Sequence, residues 1–70
     1  MTNIYIVMYI FEPQPQESHV HPGFLSFTAK NAAIEAARYY RDELHCAFVA
    51  LRHDRQCNSG WCDIIGFIDF

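Results

Sequence analysis

Nine residues near the start of the chain, NIYIVMYIF at positions 3–11, are apolar in every place but the first, and Pro13 and Pro15 end the run before a buried helix is complete. β-Branched and aromatic side chains crowd the run, so it reads as a strand. Both of its period-two faces are apolar, with Ile4, Ile6, Met8 and Ile10 on one and Tyr5, Val7, Tyr9 and Phe11 on the other. A strand of this kind belongs in the centre of a sheet that is at least partly covered on both sides. The rest of the chain has to supply that cover.

After this run the composition turns polar and proline-rich over residues 12–22 (EPQPQESHVHP), the mark of an extended loop. Residues 24–27 read as a short strand returning beside the first, and Thr28 as the N-cap of a helix. That helix, from Ala29 to about Leu44, carries Ala29, Ala33, Ala36, Ala37, Tyr40 and Leu44 on one stripe, with Glu35, Arg38 and Asp42 opposite and Ile34 and Tyr39 flanking it. Residues 46–52 (CAFVALR) form a third strand and 61–70 (WCDIIGFIDF) a fourth, joined through a polar turn over 53–60. The last strand sorts by alternation into Ile65 and Phe67 on one face and Ile64, Ile68 and Phe70 on the other. The expected fold is α+β, in the order β-β-α-β-β: a mainly antiparallel four-stranded sheet with one helix packed on one face, its crossover straddling the first strand.

A chain of 70 residues is one domain, 1–70, and buries only about 60% of the surface its unfolded form exposes. With 51% hydrophobic and 16% aromatic residues it has the apolar area to fold without staples. A net charge of −3 with five Lys and Arg gives no basic field for non-specific nucleic-acid binding. No window is apolar enough to span a bilayer, and the first residues lack the basic region and cleavage site of a signal peptide. The expectation is a mature chain that starts at Met1 and resides in the cytoplasm. Three cysteines at irregular spacing, Cys46, Cys57 and Cys62, fit reduced thiols there.

No nucleophile–base pair, carboxylate motif or glycine-rich phosphate loop is present in the sequence, so a non-enzymatic function is expected. One helix covers one sheet face only, and the apolar second face calls for a protein partner or a second copy, unless the 12–22 loop folds back over it. Tyr5, Tyr9, Phe11, Tyr39 and Trp61 are the candidate partner-binding residues, being the types that dominate interface energetics. A metal site is a further candidate. Cys57 and Cys62, with four residues between them, make a loose half of a zinc site that His53 would join; otherwise no cofactor is expected. A disulfide between the two is the oxidised alternative. His19 and His21 form a solvated pair in the loop, and Cys46 reads as a small core residue.

A very short acidic chain with strand-rich ends around one helix and no catalytic motif resembles the small phage-encoded inhibitors, including anti-CRISPR proteins. The resemblance is one of size and layout and carries no functional residues across. It implies a stoichiometric inhibitor, working in a host bacterial cytoplasm, that occupies a surface of a bacterial defence or other nucleic-acid-handling complex, for which an acidic face offers charge complementarity. The alternatives are a homodimeric structural or regulatory domain and a metal-binding module built on Cys57 and Cys62.

Overall fold

The computed structural model describes residues 2–16, 19–57 and 60–70. Four strands and one helix follow one another as β1 (Thr2–Ile10), β2 (Gly23–Phe27), α1 (Lys30–Asp42), β3 (Phe48–Gln56) and β4 (Cys62–Phe67). Every neighbouring pair of strands is antiparallel and the sheet order is β2-β1-β3-β4. The architecture expected from the sequence is therefore the one found, with doubly apolar β1 inside the sheet and the β2–α1–β3 connection passing over it.

The helix lies on the face of β1 that carries Tyr5, Val7 and Tyr9. In register, Val7 stands between Leu25 of β2 and Leu51 of β3. Val7, Leu51, Ala33 and Ala37 have essentially no solvent access, and Leu25, Phe27, Ile34, Ala36 and Val49 pack around them. The alanines let the helix axis come close to the sheet, while the sheet supplies the bulk. Ile34, expected at the flank of the stripe, is one of the residues that close this core.

The helix is shorter than its sequence pattern at both ends. Ala29 occupies the N-cap with no side-chain hydrogen bond, so Thr28 is not the cap, and Leu44 lies beyond the last turn and is exposed. The chain leaves α1 through His45, whose φ of 52° is left-handed, and the Cys46 amide then donates to the Tyr40 carbonyl at 3.0 Å. This is the reversal that glycine usually provides at a helix C-terminus.

Two strand boundaries also differ from expectation. β3 begins at Phe48 and runs on through His53, Asp54, Arg55 and Gln56, which the sequence placed in a turn. These polar residues stay extended because β1 on one side and β4 on the other supply ladder partners for them. In β4 the register slips by one: His53 pairs with Gly66 but Asp54 with Ile64, leaving Ile65 as the extra residue of a bulge. Alternation therefore fails across Ile65, and Ile64 and Phe67, three apart, share a face. Beyond β4 the chain continues beside β3, where the Ile68 amide donates to the Leu51 carbonyl at 2.9 Å, and Ile68 and Phe70 pack on the core under the helix.

Candidate functional site

The helix covers one face of the sheet and leaves the other open. On the open face, the β1 residues Ile4, Ile6, Met8 and Ile10 stand beside Asp54, Arg52, Ala50 and Phe48 of β3 in that order. Ser26 and Phe24 flank them from β2, and Ile64 and Phe67 from β4. Phe67 is 73% exposed and Phe24 62%, and Phe48 and Ile64 are exposed as well. Phe24 and Phe67 rise from the two edge strands, and between them lies a shallow cup of about 70 Å³ lined by Ile6, Met8, Phe24, Ala50, Arg52 and Phe67. Small Ala50 in the middle of a central strand makes the depression; the two phenylalanines make its walls.

One ion pair interrupts this apolar field. Arg52 and Asp54 are two apart on β3 and therefore on the same face. The guanidinium grips the carboxylate with two bonds, Nε to Oδ1 and Nη2 to Oδ2, both 2.8 Å. Asp54 is only 2% exposed, enclosed by this pairing and by its strand neighbours Ile4 and Ile64. The pair thus carries no net formal charge, and its buried carboxylate is satisfied within the chain.

The aromatic residues singled out in the sequence do not come together on this face. Tyr5 is 8% exposed, lies on the helix side and stacks on His53 with ring centroids 4.6 Å apart. Tyr9 lies on the helix side too: it stacks on Tyr40 at 4.2 Å and spreads its ring across Gly23, where any Cβ would overlap it. Both serve packing, which corrects their assignment to a partner-binding surface. Phe11 is exposed and meets the Tyr9 ring edge-on, Tyr39 is exposed on the outside of the helix, and Trp61, 75% exposed, precedes β4. None of these five lines the cup. Phe24, Phe48, Ile64 and Phe67 were not singled out, because both faces of β1 are apolar and only the docked helix distinguishes them. The described part of the 12–22 loop is exposed and contributes nothing to the cup, so it does not fold back over the open face.

Nor are the sequence-predicted metal ligands gathered. Cys62 pairs with Gln56, and the Cys57 amide donates to the Trp61 carbonyl at 2.8 Å, which sets the two cysteines one ladder position apart, on opposite faces. All three cysteines are free thiols. His53 is engaged elsewhere, its ring against Tyr5 and its Nε2 3.1 Å from Asn3 Oδ1. Among the described residues no group of three His, Cys, Asp or Glu side chains is placed to hold a metal ion. Cys57 instead donates its S–H to Asp63 Oδ2 at 3.4 Å, and that bond, with some burial, holds the thiol above its usual pKa. Burial likewise raises Cys46, as expected of a packed thiol.

Among the described residues no helix is long and apolar enough to cross a membrane. Comparison of the chain with protein families, with curated proteins and with solved structures finds no match in any of the three.

Proposed function

We propose that this chain works by protein binding rather than catalysis, and that it binds through the open face of its sheet. The observation that carries the reading is the combination on one face of four exposed large apolar side chains, Phe24, Phe48, Ile64 and Phe67, around a cup whose lone ion pair is already neutralised. Soluble domains seldom leave such a field in water, and a cup of this size suits an inserted side chain better than a substrate. Burying the cup needs no countercharge from the partner. The exposed side of α1 offers no comparable site, since Lys30, Arg38 and Arg41 interleave there with Glu35 and Asp42 and cancel any acidic field. An inhibitor of a nucleic-acid-handling complex, the specific form suggested by size and layout, is one function within this class, and it would have to dock through apolar contact.

The test is photo-cross-linking in cells that express the chain, with a benzophenone amino acid placed at Phe24 in one variant and at exposed Glu35 in another. A discrete protein adduct from position 24 and none from position 35 is the expected result. Adducts from position 35 alone, or from neither, would overturn the reading.

A further inference from the structure

We infer that the occupant of the open face is a second copy of this chain, packed sheet to sheet about a two-fold axis; the inference rests on the protein-binding reading and deepens it. An isologous interface must carry on one surface both the projection and the recess that receives it. This face does. Phe24 and Phe67 are its most exposed large side chains, and Ile6, Met8 and Ala50 line the cup between them. Two such faces turned toward each other interdigitate, Phe67 of one copy entering the cup of the other while its own cup receives the partner's phenylalanine. The product is a two-sheet sandwich with helices on both outer surfaces, the arrangement in which aligned sheets sit about 10 Å apart.

Charge supports the same occupant. A charge close to a two-fold axis faces its own copy, so an unpaired charge there repels itself, whereas a neutral pair does not. Arg52 and Asp54 form such a pair close to the cup. Arg52 uses Nε and Nη2 on Asp54, and its Nη1 makes no hydrogen bond among the described residues, so it is available to a carboxylate or carbonyl across the axis. Apart from Asp54, alternation turns Asp69, which lies between inward-packed Ile68 and Phe70, toward this face at its margin. Asp63 pairs with Arg55 on the helix side, and Glu35 and Asp42 belong to the helix.

The size of the face is adequate. Strands about 4.8 Å apart, with a rise of about 3.3 Å per residue, make four strands of this length a surface of roughly 500 Å² in plan. Two copies then cover about 1,000 Å² or more, the lower bound for a specific interface. Edge-to-edge pairing is the less suitable geometry. β2 is only five residues long, and the bulge at Ile65 breaks the regular ladder that a strand added to β4 would need.

Sedimentation equilibrium on the purified full chain tests the inference, with Phe67→Lys and Trp61→Lys as variants. Both positions are largely exposed, so the substitutions should leave the fold intact, which far-UV circular dichroism checks. The expected result is a wild-type dimer, an unchanged dimer for Trp61→Lys, and a dissociation constant raised at least about 100-fold for Phe67→Lys. A wild-type monomer at millimolar concentration would overturn the second-copy inference, as would a dimer that Phe67→Lys leaves intact. The protein-binding reading is separately scored by the position-24 adduct. An adduct to a different protein from a monomeric chain keeps that reading and rejects this one, and absence of any adduct rejects both.

Discussion

At the scale of single residues, the Arg52–Asp54 pair decides how the open face behaves. Removing the arginine strands a carboxylate that is 2% exposed, with its one side-chain partner among the described residues gone. Arg52→Met should therefore lower the unfolding free energy by about 2–3 kcal/mol, less than for a wholly buried pair because the guanidinium is partly solvated. Arg52→Met combined with Asp54→Leu should recover most of that loss, since neither charge is then left alone; urea denaturation at neutral pH measures both. Cys57 offers a chemical readout of a second contact. Its S–H bond to Asp63 favours the neutral thiol, so the folded pKa is raised. The stabilisation is therefore present below the ordinary thiol range and lost as pH rises through the raised value. At about pH 8 iodoacetamide should label Cys57 more slowly than an unperturbed thiol, and Asp63→Asn should accelerate the labelling, read by peptide mass. Asp42 runs the other way: its hydrogen bonds from Arg41 hold its pKa below the usual carboxylate range, so their contribution is present at neutral pH and fades as pH falls through that lowered value.

At the scale of elements, the end of α1 is the simplest place to gain stability. His45 takes a left-handed conformation that costs an L-residue about 1 kcal/mol, and glycine adopts it freely. His45→Gly should raise the unfolding free energy by up to about 1 kcal/mol and His45→Val should lower it, as followed by thermal denaturation. The existence and order of the elements were legible in the sequence because each has a long periodic signature: two apolar faces in β1, an alanine stripe in α1. The polar end of β3 was not legible, since His53 to Gln56 are extended only because strands pair with them on both sides. The faces of β4 were legible only through Gly66, which adjoins the bulge at Ile65; simple alternation along the strand misses the reset there. Of the binding surface, the sequence showed that an apolar face would be left over. Which aromatics line it depends on where the helix docks, and for that reason Tyr5 reads as surface and belongs to the core, while Tyr9 is half-buried against Tyr40.

At the scale of the whole molecule, a body only 15 Å across its thinnest axis has a single helix–sheet layer in which to bury apolar area. The core is correspondingly small, and the C-terminal residues are recruited to it: Ile68 and Phe70 pack inward, and Arg41 lies 5.0 Å from the centre of the Phe70 ring while bonding its carbonyl. A second copy on the open face would give both sheets a second buried side. Stability would then depend on association, and a tenfold increase in protein concentration should raise the midpoint of thermal unfolding by about 5 °C. Differential scanning calorimetry at two concentrations checks this, a concentration-independent midpoint being the outcome for a monomer.

The bulge at Ile65 has a consequence for how such a chain tolerates change in length. β4 holds one residue more than its ladder with β3 uses, so losing Ile65 would leave Ile64, Gly66 and Phe67 opposite the same partners they have now. Every side chain downstream would keep its side of the sheet, and the C-terminal segment would still reach the helix. Position 65 is therefore slack in the chain, a place where one codon comes or goes without turning the protein inside out. What the deletion would remove is the kink that keeps an apolar outer strand from serving as a template, so the shortened protein would fold with the same core and exchange solubility for a straight, adhesive edge.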